Sequence, residues 1–187
     1  MSLSGQRQRT DEFLRVLTAA RHGGGERLGP GLSETALLLG SLVPVPPVWV
    51  GGTSLPALRR AARFGDGWLS GAQTPAEFGA SLEQLGQAAE EEGRSCPAAG
   101  AVLSVAVGTG PHAALVAQCA RDMEFAYGIP RERAEELAIA GRAEQVAESL
   151  ARYVDAGAQR LALISHVQPW TESWPTVGDV RRALRGL

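Results

Sequence analysis

Four short apolar runs punctuate the chain: Val48-Trp49-Val50, Gly67-Trp68-Leu69, residues 101–107, and Leu161-Ala162-Leu163-Ile164. None alternates apolar with polar residues, so none reads as a strand with one wet face. Unbroken apolar runs of this length point to strands covered on both sides, as in a parallel sheet. Each is followed by a stretch with helical spacing, which supplies the crossover that a parallel pair needs. Such crossovers are right-handed. The expected fold is therefore α/β, with about four parallel βα units behind a leading helix. The strands are expected near 47–51, 67–71, 101–107 and 160–165. The alternation alone does not separate an open sheet from part of a barrel.

Local signals set the helix boundaries. Ser54 is placed to cap a helix that runs to Phe64 and stops at Gly65. Thr74-Pro75-Ala76-Glu77 is a capping box with proline at the first helical position. Phe78, Leu82, Leu85 and Ala89 then keep helical spacing until Gly93. Residues 112–127 and 131–140 read as two further helices. Val146, Leu150 and Val154 share one face of a helix over 141–156, and 177–187 closes the chain. Near the start, Thr10 reads as an N-cap with Asp11 and Glu12 in the first turn. Phe13, Leu14, Leu17 and Ala20 give that helix its apolar face, and Gly23-Gly24-Gly25 ends it. Residues 23–46 read as a Gly/Pro loop, with a helical turn around 35–39.

At 187 residues the chain is expected to form one domain, 1–187, large enough to bury a core. All 18 basic residues are arginine, which excludes Schiff-base and P-loop lysine chemistry. A net charge of -2 gives no basic bias toward nucleic acid or a membrane surface. No apolar run approaches the ~18 residues of a membrane span. Residues 1–10 are polar and lack the apolar core of a secretory signal. Cys96 and Cys119 have no metal-ligand spacing. The expectation is a cytoplasmic protein with no metal, no nucleic acid and no membrane among its partners.

The most informative motif is Val48-Trp49-Val50-Gly51-Gly52-Thr53-Ser54: a strand, two glycines, two hydroxyl residues and a helix start. Amides at a helix N-terminus attract anions, and glycine lets a phosphate approach the backbone. The plainer alternative is a tight turn with Ser54 as a cap. Gly108-Thr109-Gly110-Pro111-His112-Ala113 fits a loose dinucleotide pattern, but no strand ending in an acid follows ~20 residues on, so a nicotinamide site is not supported. His22-Gly23-Gly24-Gly25 imitates an esterase oxyanion loop, yet no nucleophile elbow exists, and His22 reads as a cation at a helix C-terminus. His112 reads as solvated. His166 follows the last strand, where α/β active sites collect, although structural roles are common for such a histidine. Asp66 precedes its strand and reads as structural. Cys119 reads as a small buried hydrophobe. Trp170 and Trp174 read as pocket lining or as cover for a helix end, and Arg59, Arg60 and Arg63 as a solvated helix face.

Pro47 through Ser54, then Ala57-Leu58-Arg59-Arg60-Ala61-Ala62-Arg63, then Gly65-Asp66-Gly67-Trp68 together resemble the bacterial luciferase-like monooxygenase family. Glu90-Glu91-Glu92-Gly93-Arg94, Gly141 to Ala147 and Asp155-Ala156-Gly157-Ala158 follow in the family's order. The resemblance implies the second half of a (β/α)8 TIM barrel, a half-barrel of four βα units without counterparts of the first four strands. It implies a flavin-type cofactor, FMN or F420, with a pattern nearer the F420-using members. It places the cofactor phosphate on Gly52, Thr53 and Ser54, with Gly51 beside them, and sets Ser70 and Gly71 near the ring system.

The function implied is a flavin- or deazaflavin-dependent oxidoreductase or monooxygenase acting on a small molecule. No catalytic residue is assigned, because the half that carries most of them has no counterpart here. Four parallel strands in half a barrel leave two bare edges and an uncovered inner face. A homodimer or a complementary N-terminal half is therefore expected as partner. The alternative is a half-barrel remnant without turnover, kept for cofactor binding or as a dimeric structural protein.

Overall fold

A computed structural model of the chain describes residues 3–21, 46–166 and 170–186. Helix α1 spans Leu3–Arg21. It is followed by β1 (Trp49–Gly51), α2 (Leu55–Phe64), β2 (Gly67–Gly71), α3 (Pro75–Glu91) and β3 (Ala98–Val107). Then come α4 (His112–Tyr127), α5 (Arg131–Leu137), β4 (Ile139–Gly141), α6 (Ala143–Asp155), β5 (Arg160–Ser165) and α7 (Trp170–Leu184). Every strand pair is parallel.

The expected fold class is correct, with one strand more than the sequence suggested. β1 pairs β2 and β2 pairs β3 over residues 98–102. β5 takes the other edge of β3 over 100–105. β4 pairs 105–107. Val105 has partners in both β4 and β5, so these lie on opposite edges, and β4 continues the edge that β2 began. Between the two, the ladder on that edge is interrupted at Leu103 and Ser104.

Strand residues split cleanly between two faces. Val50, Trp68, Ala99, Ala101, Leu103 and Val105 face the helices and are buried. Trp68 stacks on Phe78 of α3 with ring centroids 5.2 Å apart, and Phe78 meets Tyr153 of α6 edge-on at 6.4 Å. Three of the five residues that α2 buries are Ala57, Ala61 and Ala62, whose small size lets the helix lie close to the sheet. Val146 and Leu150 of α6 and Leu85 of α3 complete this core.

Asp66 is structural, as its place before a strand implies. Its carboxylate accepts the Val48 amide at 2.6 Å, its amide donates to the Val48 carbonyl, and its carbonyl accepts the Ala98 amide. One residue thus ties together the N-terminal ends of three strands. Cys119 is buried on α4, and burial pushes its thiol up to about 12.

Several boundaries differ from expectation. Thr10 lies inside α1 instead of capping it, and Phe13 is exposed while Leu14 is buried. The 131–140 stretch divides into α5 and β4. β3 begins at Ala98, and the closing helix begins at Trp170. Arg60 is not merely solvated: it pairs with Asp11 of α1. His22, Gly23 to Gly25 and the turn at 35–39 lie outside the described residues, as do the side chains of Trp170 and Trp174.

Candidate active site

The turn between β1 and α2 is built around Gly52. Its φ of 121° lies in the region that favours glycine, and a Cβ there would sit 2.9 Å from that of Ala57. Two bonds fix this residue to β2. The Gly52 amide donates to the Leu69 carbonyl at 3.1 Å, and Trp68 Nε1 donates to the Gly52 carbonyl at 2.7 Å. The first bond corrects one expectation: the Gly52 amide is already engaged and is not a free donor for a phosphate. The Thr53 and Ser54 amides, by contrast, donate to nothing among the described residues. Ser54 occupies the N-cap position of α2 in extended conformation, but its hydroxyl makes no capping bond. Gly51 through Ser54 are all exposed. The turn therefore presents two amides and two hydroxyls at the positive end of a ten-residue helix.

Ser70 and Gly71 end β2, and the sheet separates them. Ser70 shares the helix-facing side with Trp68, two residues before it, and is buried. Its side chain points away from the barrel interior, so it does not line a ring site there. Gly71 is exposed on the inner side and borders a cavity. This cavity, of about 180 Å3, lies at the interrupted ladder, beside Val102, Leu103 and Ser104. Ile164 of β5 adds to its floor; Met123 and Tyr127 of α4 with Leu137 of α5 wall it. The α4–α5 pair packs on Ala106 and Ala140, past the end of β2. These are C-terminal strand ends, where barrel enzymes keep their active sites.

Three elements pin the loop after β2. Ala72 has a φ of 54°, uncommon for a residue with a side chain. Arg133 of α5 donates to the Ala72 carbonyl and pairs with Glu77 and Glu136. The Thr74 amide and Arg133 together hold the Glu77 carboxyl below the usual range. The Tyr153 hydroxyl donates to the Gln73 carbonyl at 2.9 Å, and burial pushes its pKa up. The capping box at Thr74 is present in both directions.

The inner face at the other end is filled by one ring. A Cβ on Gly67 would meet Trp49 at 2.4 Å, and one on Gly100 would meet Leu69 and Trp49, so the indole lies flat across these glycines. The Arg160 guanidinium stands 6.0 Å from its centroid. His166, just past β5, is buried. Its Nδ1 lies 3.3 Å from Asp122 and its Nε2 meets no partner among the described residues. His112 is exposed. Gln73, Tyr153 and Arg133 were not indicated by any motif; the only signal for Gln73 was its place just past a barrel-type strand end.

The family model described as luciferase-like monooxygenase matches residues 1–128. The chain belongs to the luciferase-like monooxygenase family. No curated protein sequence matches it. Solved structures similar to this luciferase-like chain include an F420-dependent secondary alcohol dehydrogenase in complex with an F420-acetone adduct. The two are 14% identical with a TM-score of 0.75, over 99% of this chain and 64% of that one. The EDTA monooxygenase of Chelativorans sp. BNC1 is similar at 15% identity and a TM-score of 0.70, over 100% and 61% of the two chains. A coenzyme F420-dependent tetrahydromethanopterin reductase of Methanopyrus kandleri aligns at 15% identity and a TM-score of 0.52, over 87% and 56%. At these identities the likeness is one of fold. The luciferase-like chain spans less than two thirds of the length of each. Among the described residues there is no cluster able to hold a metal ion, and no helix is long and apolar enough to cross a membrane.

Proposed function

We propose that this luciferase-like chain holds a flavin-type cofactor, F420 in preference to FMN, and serves as the phosphate-binding half of an oxidoreductase barrel. The observation that carries the reading is the β1–α2 turn. Its Thr53 and Ser54 amides are unengaged at a helix N-terminus, held by a Gly52 whose own amide and carbonyl are tied to β2. Such a cradle fits a phosphate group: amide donors, hydroxyl donors and the helix dipole converge, with no side chain in the way. When bound, the ring supplies the hydride- or oxygen-transfer chemistry.

The chain's own part is to anchor, orient and exclude water. Thr53 and Ser54 hold the phosphate, Gly52 keeps the backbone open to it, and α4 with α5 screens the strand ends. Further barrel strands, from a second copy of the chain or a complementary N-terminal half, complete the inner face in this proposal. The exposed inner positions Gly71, Arg160 and Ala162 support that part.

The test is titration of FMN and F420 into the wild type and two variants, followed by fluorescence. Ser54 has a φ of -75°, which proline adopts without strain, so Ser54→Pro deletes an amide and a hydroxyl with little distortion. Each charge-assisted bond contributes ~1.5–3 kcal/mol, so that variant should bind at least ~10-fold more weakly. Gly52→Glu adds strain and like charge, and should cost ~100-fold or more. Arg63→Ala, on the far face of α2, should change nothing. Equal binding by Ser54→Pro and wild type, or no binding of either cofactor, overturns the reading.

A further inference from the structure

We propose that the cavity at the interrupted edge of β3 takes an uncharged, mostly apolar ligand group that carries a carbonyl oxygen, held by the hydroxyl and amide of Ser104. The proposal rests on the oxidoreductase reading above, with these strand ends as the substrate side of the site.

Ser104 supplies two unused donors. β3 turns successive peptide groups to opposite edges. The Ala99 and Val105 carbonyls accept from Gln159 and His166, on the β5 edge. The Ala98 amide donates to Asp66 and the Gly108 amide to Gly141, on the β2–β4 edge. The Ser104 amide points to this second edge, where the β2 ladder has stopped at Val102 and the β4 ladder starts at Val105. It meets no acceptor among the described residues. The Ser104 hydroxyl, on a residue only 7% exposed, is likewise unbonded. The unbonded side-chain atoms that are fully sealed are Gln73 Oε1 and His166 Nε2. The Ser104 hydroxyl is not one of them, so it keeps open surface, and Ser104 lines the cavity.

The acceptors nearby are taken or turned away. Arg133 donates to the Ala72 carbonyl, and the Tyr153 hydroxyl donates to the Gln73 carbonyl. The Leu69 carbonyl accepts the Gly52 amide, so the Gly71 carbonyl, two residues on, also turns to the β1 edge. Donors left over in a buried place call for an acceptor. An amide can only donate, and a serine hydroxyl can do so. Val102, Leu103, Met123, Leu137 and Ile164 form most of the wall, and no ionised side chain lines it. A carboxylate entering here would lose its water and gain no counter-ion. A neutral carbonyl on an apolar body meets all of these terms. An apolar cavity of ~150 Å3 is enough for benzene, and this one measures about 180 Å3.

The test uses the full chain and three probes: cyclohexanone, methylenecyclohexane, in which CH2 replaces the oxygen, and cyclohexanecarboxylate. Ligand-observed NMR reads affinity, and infrared spectroscopy reads the carbonyl stretch of bound cyclohexanone. In the wild type that band should lie below its position in hexane, as a hydrogen-bonded carbonyl requires. Ser104→Ala should weaken cyclohexanone about fivefold, the worth of one neutral hydrogen bond. The same variant should move the band back toward the hexane position and leave methylenecyclohexane no weaker. Tyr127→Phe removes the other unbonded hydroxyl on the wall and should leave the band in place. The wild-type and Tyr127→Phe spectra decide the matter even if Ser104→Ala fails to fold. A wild-type band at the hexane position, a band lost in Tyr127→Phe, or equal effects of Ser104→Ala on ketone and hydrocarbon overturns the proposal. So does cyclohexanecarboxylate binding as tightly as cyclohexanone, or no binding of any probe. FMN and F420 titrations read the cofactor site separately. Cofactor binding without probe binding refutes the ligand class alone; probe binding as expected without cofactor binding refutes the cofactor reading alone.

Discussion

Two tryptophans on opposite faces of one sheet have opposite situations. Trp68 is fully buried, stacked on Phe78 and bonded through its indole nitrogen to the Gly52 carbonyl of the β1–α2 turn. Trp49 lies across the inner face over Gly67, with the Arg160 guanidinium 6.0 Å from its ring centroid and partial exposure to solvent. The helix side is a finished core, with three aromatic rings in contact in series from β2 to α6. The inner side is a surface shaped for cover. Stability is therefore concentrated on the face away from the barrel interior, and the candidate site lies at the strand ends and on the other face.

Truncation of the buried ring is the strongest way to break this comparison. Trp68→Ala should destabilise the chain by about 3–5 kcal/mol, read from urea unfolding, and should also loosen the Gly52 turn. A cost near zero would mean that the helix-side core is not where the fold is held. A second, smaller effect tests the floor of the inner face. Gly67→Ala places a methyl against the Trp49 ring, and overpacking of this kind costs ~1–3 kcal/mol. Because the ring is only half enclosed, the low end is expected, and Trp49→Leu in the same chain should relieve it non-additively. An additive double variant would show that the two residues do not meet. The smallest effect sharpens the contrast most. Ala162 faces the open inner side and is exposed, so Ala162→Ser should change the unfolding free energy by less than ~0.5 kcal/mol. A cost of several times that would mean the inner face is covered in solution by a second copy.

The sequence revealed the βα rhythm but not its exception. Gly67 to Gly71 and Arg160 to Ser165 read correctly because glycine or a helix stop bounds each apolar run. β4 was hidden because Ile139-Ala140-Gly141 is three residues long and adjoins a helical Glu/Ala/Leu stretch. Its strand character comes from the edge of β3, a tertiary cause. Thr10-Asp11-Glu12 has the composition of a helix start, yet residues 6–9 are good helix formers and nothing there stops the helix from beginning earlier.

At the site, the strand–turn–helix geometry from Gly51 to Ser54 was legible, since strand, glycines and helix start are contiguous. The engagement of the Gly52 amide was not, because its acceptor, Leu69, lies across the sheet. The face that Ser70 takes was not legible, because one residue of parity decides it. Gln73, Arg133 and Tyr153 come from three separate segments and share no spacing, so only the folded chain brings them together.

β3 has one further consequence, which concerns the growing chain. Its first edge can pair with β2 as soon as it emerges, but its second waits for residues 160–165. At ~5–20 residues per second, a ten-residue strand stands half-satisfied for several seconds of synthesis. Most of its residues are Ala, Val or Leu, and an open apolar edge of that kind invites pairing with a neighbouring chain. The α4–α5 pair, made during that interval, packs against the far end of the same strand. The excursion that walls the cavity in the finished molecule thus also shelters part of β3 before its permanent neighbour exists.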